Sequence, residues 1–231
     1  VKALYWFDWL DLRAKPKPWL IVGKGPTFAR ADEVDWDKYN VLSLNHAMTV
    51  APTFVGHAYD IEVIDQLGES LLKVPVVVMP WLPNESCKPS KITLDQRLKG
   101  RPHLTEMAKT KRLMFYDSST APVKLRRGRY RSVVRVRFFS AVAAVNLLAV
   151  SGVKQIFTLG VDGGSSYAPN FDKKTLLVNG RTSFDIQFKE IRQTEKNKGV
   201  TVTPLFAPGG TPCTRSPSSP SSSPRTSPSS G

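Results

Sequence analysis

Ser140-Ala141-Val142-Ala143-Ala144-Val145-Asn146-Leu147-Leu148-Ala149-Val150-Ser151-Gly152-Val153-Lys154-Gln155-Ile156-Phe157-Thr158-Leu159-Gly160 is the stretch that decides the fold class. Ser140 is a helix-capping residue type, and the run to Ser151 has helix-forming character with Gly152 as its stop signal. Its apolar residues lie all round rather than on one stripe, so the sequence predicts a helix inside the molecule. Gln155–Leu159 then reads as a strand leading into Gly160-Val161-Asp162-Gly163-Gly164. A buried helix returning to a short, continuously apolar strand belongs to a parallel α/β sheet, where both faces of each strand are covered.

Outward from this stretch the same grammar recurs. Trp19–Val22 is a strand candidate ending in Gly23-Lys24-Gly25-Pro26-Thr27, and Val41–Leu44 is another ending in Asn45-His46. Thr53–Ala58 and Val74–Met79 follow, then the weaker Leu113–Tyr116. Ser183–Asn197 looks helical, and Val200–Leu205 alternates as a closing strand. The expected fold is α/β: a Rossmann-like open sheet, mainly parallel, in one domain over residues 1–207.

The chain has 231 residues with 41% hydrophobic side chains, enough for a sizeable core and too many for wholesale disorder. Its net charge of +14 is uneven. Residues 88–137 hold 15 Lys or Arg against Asp95, Glu106 and Asp117, a local +12. That segment reads as a basic excursion or lid over about 85–137, either a solvated face or a surface for a polyanion. Residues 208–231 form a Ser/Pro-rich tail expected to be disordered. Two distant cysteines, Cys87 and Cys213, and no C-x-x-C argue against a zinc site or a disulfide scaffold. The longest apolar run, Ala141–Val150, is too short to span a bilayer, and no basic-then-apolar leader pattern opens the chain. A soluble, cytoplasmic protein is expected, with a basic surface that also fits peripheral contact with an anionic membrane.

Ligands of open parallel sheets bind at the carboxyl ends of strands, so the candidate site residues are those that follow each apolar run. Gly23, Lys24, Gly25, Pro26 and Thr27 read either as a phosphate-approaching loop or as a tight turn; they fit neither a Walker loop nor a dinucleotide fingerprint. Asn45 carries a paired donor and acceptor suited to a base or ribose. His46 and His57 are candidate proton acceptors, and His57 stands close to Tyr59 and Asp60. Asp162 has no second carboxylate at the spacing of metal-dependent sugar transferases, so no metal is expected.

Four blocks resemble the bacterial sialyltransferases of glycosyltransferase family 42, and more distantly the motility-accessory and pterin-pyrophosphokinase-like proteins. Leu20–Thr27 is similar to the family's opening strand and Gly-x-Gly-Pro-Ser loop, and Leu44-Asn45 to its strand ending in a nucleotide-contacting Asn. Arg137-Phe138-Phe139-Ser140 resembles its Arg-x-x-Ser, and Gly160-Val161-Asp162 with Gly164-Ser165-Ser166-Tyr167 resembles its Gly-Ile-Asp…Gly-Ser-Ser-Tyr. The resemblance covers roughly residues 19–45 and 137–195. It implies that Asn45 contacts the donor nucleotide and Ser140 its sugar or phosphate. It also implies that Tyr167 bonds the leaving phosphate in place of a metal, with Arg137, Asp162, Gly164, Ser165 and Ser166 in the donor site.

The chain departs from the family at three places. Lys24 stands where the family has Asn, and a second Tyr of the Asp-to-Tyr loop is missing. The family's catalytic His should lie shortly before Asp185, where this chain reads Val178-Asn179-Gly180-Arg181-Thr182-Ser183-Phe184. Arg181 cannot act as a base, though it could hold an anionic donor or acceptor. The base is therefore sought at another strand end: His57 first, then Asp60 and His46. The activity implied is a metal-independent glycosyltransferase using a nucleotide-activated sugar, with no cofactor beyond that co-substrate, and a glycan or other hydroxyl acceptor. The alternatives are a transferase acting on hydroxymethylated bases in DNA and a nucleotide-binding protein without catalysis.

Overall fold

Nine strands, every pair of them parallel, form the sheet of the computed structural model, which describes residues 1–13, 16–86, 88–119, 133–136, 139–171 and 183–207. They are β1 (Leu4–Tyr5), β2 (Trp19–Val22), β3 (Asn40–Leu44), β4 (Val55–His57), β5 (Val77–Pro80), β6 (Leu113–Ser119), β7 (Val133–Arg135), β8 (Gln155–Leu159) and β9 (Thr201–Pro204). Their spatial order is β1-β6-β5-β4-β3-β2-β8-β9, with β7 beside the end of β6. The helices are α1 (Trp6–Arg13), α2 (Ile61–Leu67), α3 (Leu94–Arg97), α4 (Pro102–Lys109), α5 (Ser140–Val150) and α6 (Ile186–Lys198). Every residue of β2 and β3 is buried, as continuous apolar runs between two covering layers require.

Alternation within the strands sorts the core into layers. Ile21, Leu42, Met114 and Ile156 pack with α1, α5 and α6, while Val77, Met79, Leu113 and Phe115 pack with α2, α3 and α4. Helix α5 is buried from Ala141 to Leu148, including Asn146, whose amide donates to Val142 O at 3.0 Å and whose Oδ1 accepts from Thr194 of α6 at 3.1 Å. Gly152 ends it at φ +86. The amides of Gly152 and Val153 turn back to Ala149 O and Leu148 O, so the terminal carbonyls are satisfied. Ser140 differs from expectation in one respect: the cap position is Phe139, and Ser140 is the first helical residue with no capping bond.

The basic excursion is corrected over its described part. Thr93 and Gln96 form a capping box that starts α3, and α4 buries Leu104, Met107 and Ala108. The chain then enters β6, an interior strand between β5 and β1. Lysines and arginines on the outer side of these elements obscured the apolar spacing beneath. The N-terminal β1 and α1 had no counterpart in the sequence reading, yet Trp6 is fully buried and its indole donates to Ser151 Oγ at 3.0 Å. Cys87 and the Ser/Pro-rich stretch 208–231 lie outside the described residues.

From β2 the chain winds through β3, β4, β5 and β6 in one direction, then returns through α5 to place β8 on the other side of β2. The reversal makes the carboxyl ends of β2 and β8 the topological switch point, where loops diverge to opposite faces and leave a crevice.

Candidate functional site

The loops after β2 and β8 are locked together by backbone. Gly23 N donates to Leu159 O at 2.8 Å and Gly25 N to Gly160 O at 2.7 Å. A Cβ on Gly25 would meet Asp162 Oδ2 at 2.6 Å, and one on Gly23 would overlap Gly160 O. Asp162 accepts from Thr27 N and from Thr27 Oγ1, both at 2.6 Å, and Gly160 N donates to Thr27 Oγ1 at 2.8 Å. Of the two readings of this loop, these bonds favour the tight turn over phosphate-approaching amides. Those of Gly25 and Thr27 already serve protein acceptors, Gly160 O and the Asp162 carboxylate. Gly164 N is likewise taken, by Asp185 Oδ1 at 2.9 Å. Asp162 and Thr27 join two strand ends; they do not offer open donors to an anion.

What the strut projects is Lys24. Its ammonium lies 4.3 Å from the centroid of the Tyr167 ring, a cation–π contact. Lys24 is half-buried, and among the described residues it takes part in no ion pair. Burial lowers its pKa to about 8. Tyr167 is half-buried too, which pushes its phenol up, and it stacks on Phe184 at 5.8 Å with a 26° interplanar angle. Phe184 meets Phe139 edge-on at 6.2 Å. Next to Phe139, Ser140 Oγ lies 3.3 Å from Asn45 Nδ2. Beside Asn45, His46 has its pKa lowered by burial and then by the Lys24 charge, against a hydrogen bond that its ring donates to Gln66. The contacts thus run Lys24, Tyr167, Phe184, Phe139-Ser140, Asn45-His46 and back toward Lys24. Five separate segments of the chain meet at the switch point.

Asn45 supplies the most specific feature of this ring. Its backbone is left-handed at φ +51, a conformation that Asn tolerates better than most residues. Its Oδ1 is buried without a hydrogen-bond partner among the described residues. An orphaned buried acceptor costs free energy unless a ligand donor fills it. Because alanine would add backbone strain, the informative variant is Asn45→Gly, which keeps the left-handed turn. Asn45→Gly is expected to weaken nucleotide binding by about 1–3 kcal/mol, read by calorimetry, with an unchanged melting temperature; equal affinity would place the nucleotide elsewhere.

His57 is corrected by its surroundings. It is the last residue of β4 and fully buried. Its Nε2 is 2.9 Å from the Tyr116 hydroxyl, the two rings are stacked, and burial drives its pKa down to about 3. No substrate hydroxyl reaches it; Val55 and His57, two residues apart, share the inward face of their strand. Asp60 is half-buried beyond it, with its pKa raised by burial against a hydrogen bond from Asn84. Ser165 and Ser166 are exposed beside Gly164. Arg137 and Arg181 lie outside the described residues. The sequence reading missed Phe184, Phe139 and Gln66 as parts of the ring, although Phe139 lies inside the Arg137–Ser140 block.

No family model matches the chain, and no curated protein sequence does. Among solved structures it is similar to the sialyltransferase CstII from Campylobacter jejuni in complex with a substrate analogue, CMP-3FNeuAc, at a TM-score of 0.45 and 11% identity over 82% of this chain and 81% of that one. It is also similar to a tyrosine-to-phenylalanine variant of the sialyltransferase Cst-II in complex with CMP, at a TM-score of 0.41 and 13% identity over the same shares of the two chains.

Proposed function

We propose that the protein is a glycosyltransferase that takes a nucleotide-activated sugar and transfers the glycosyl group to a hydroxyl acceptor without a metal. The observation that carries this reading is Lys24: a half-buried, unpaired cation over Tyr167 at the switch point, beside the unfilled acceptor of Asn45. In the reaction the acceptor oxygen attacks the anomeric carbon as the bond from that carbon to the phosphate oxygen breaks. Lys24 and the Tyr167 hydroxyl meet the charge that grows on the leaving phosphate. In this reading Lys24 is the cation that faces the phosphate. The four sequence blocks similar to family 42 support the same assignment.

The proton of the attacking hydroxyl goes to His46 in this reading. A histidine with a lowered pKa is unprotonated at neutral pH, and Lys24 keeps it so until the charge of the phosphate is present. His46→Ala is expected to lower turnover by about 10²–10³-fold with donor affinity nearly kept. His57→Ala is expected to behave oppositely. It opens a cavity and strands the Tyr116 hydroxyl, costing about 2–4 kcal/mol of stability, while the folded fraction stays active. Full activity in the His46 variant would remove it from the mechanism.

A screen of CMP-, UDP- and GDP-sugars by thermal shift and hydrolysis tests the whole reading; a protein that neither binds nor hydrolyses any of them is not such a transferase. Binding without turnover across all acceptors would favour the non-catalytic alternative. For the DNA alternative, three of the described cations, Lys109, Lys111 and Arg112, sit where α4 turns into β6. That is the amino edge of the sheet, opposite the site.

A further inference from the structure

A second polar cluster lies on the carboxyl edge beside the Lys24 ring. Register places it: Leu44 pairs with His57, so Asn45 and Ala58 leave the sheet side by side, and Tyr59 and Asp60 come next. Asp60 occupies the N-cap position of α2 but makes no capping bond; its carboxylate turns instead to Asn84. Asn84 is held in place by its backbone, whose N–H donates to Tyr59 O and whose O accepts from Ile61 N, both at 3.0 Å. Tyr59 shares a hydrogen bond with Ser118 at the end of β6. Val136 N then donates to Ser119 O at 3.0 Å at the same edge.

The four side chains of Tyr59, Asp60, Asn84 and Ser118 are all half-buried, reachable yet shielded. Among the described residues Asp60 has no cation in an ion pair, and Glu62 adds a second negative charge nearby. A half-buried carboxylate that neither caps its helix nor meets a cation retains lone pairs for donors from outside. Adjacent acceptor, amide and hydroxyl groups match the vicinal hydroxyls of a sugar ring. Their negative charge opposes an anionic ring.

We propose that this cluster binds the hydroxyls of an uncharged carbohydrate ring, and that it discriminates against acidic sugars. The inference rests on the transferase reading and deepens it, since the ring is either the transferred sugar or the acceptor. Both sources share the chemistry that the cluster recognises.

Saturation-transfer NMR on the full chain tests it, with methyl glycosides of glucose, galactose and N-acetylglucosamine set against glucuronic acid and N-acetylneuraminic acid. The expected result is transfer to at least one neutral glycoside and none to the acids, with affinity reduced about tenfold or more by the isosteric Asp60→Asn. Asn84→Ala serves as a second variant and should show the same loss. Equal transfer to the acids overturns the proposal, as does neutral binding that neither variant changes. Competition separates the sources. Displacement by UDP-glucose or GDP-mannose but not by UDP or GDP identifies the transferred sugar, and displacement by none of them identifies the acceptor. Displacement by UDP, GDP or CMP alone overturns the proposal, because the glycoside is then in the nucleotide pocket. A failed donor screen with glycoside binding intact sinks the transferase and leaves the cluster's chemistry standing.

Discussion

Lys24→Met is expected to lower turnover by about 10²–10³-fold and to weaken donor binding as well. Met keeps an unbranched apolar stem against Tyr167 and removes only the charge, so the fold should survive. The magnitude follows from where the charge acts. Lys24 is half-buried and unpaired, and a cation there meets a developing phosphate charge without first breaking a protein ion pair. The same burial makes a pH test available. The amine titrates at about 8, so the ammonium is present below that pH and lost above it. Affinity for a nucleotide phosphate should therefore fall, by up to about tenfold per pH unit, as pH rises past 8. Folding responds with the opposite sign. A lysine whose pKa is lowered in the folded state binds fewer protons there than when unfolded, so its contribution to stability rises between about pH 8 and its ordinary pKa of 10.5. Lys24→Met should flatten both profiles. A binding profile that keeps its fall above pH 8 in the variant would assign the titration to another group and sink the proposed role.

The sheet was legible in the sequence where strands are buried on both faces. Trp19–Val22 and Gln155–Leu159 match β2 and β8 residue for residue; β2 is buried throughout, and β8 is buried at Ile156, Thr158 and Leu159. Helix α5 was legible for the same reason. Elements with a wet face were harder: α4 carries Lys109 and Glu106 outward, and its apolar positions Leu104, Met107 and Ala108 only resolve as a stripe once the helix exists. In the site, the strand ends could be located but not their partners. Nothing near Thr27 announces that its amide belongs to Asp162, 135 residues away. Nor does the local sequence around His57 show that Tyr116, 59 residues on, closes over it. Position along a strand tells which residues reach the carboxyl edge; which of them face a ligand depends on neighbours that only the register supplies.

Gly160→Ala tests how much of the site depends on the strut beneath Lys24, and its effect on stability should exceed that of Gly152→Ala. Gly160 sits at φ +66, and a Cβ there would lie 2.5 Å from Gly23 O and 2.8 Å from Gly23 C. Neither side can give way easily. Gly160 N is tied to Thr27 Oγ1 at 2.8 Å, its O receives Gly25 N at 2.7 Å, and the opposing atoms are backbone of the neighbouring strand end. Left-handed strain alone costs an alanine about 1–2 kcal/mol, and relieving the overlap breaks one or more of these bonds, for a total on the order of 3–5 kcal/mol. Gly152 supplies the control, since it is left-handed at φ +86 and a Cβ there would meet nothing within 4 Å. Gly152→Ala should cost only the strain. Urea unfolding of the two variants, compared by midpoint at unchanged slope, separates the terms. Gly160→Ala should also lose donor binding in its folded fraction, because widening the β2–β8 contact moves Lys24 off Tyr167. Equal midpoints for the two variants would mean that Gly160 serves the turn alone and that the close contact of the loops does not position the cation.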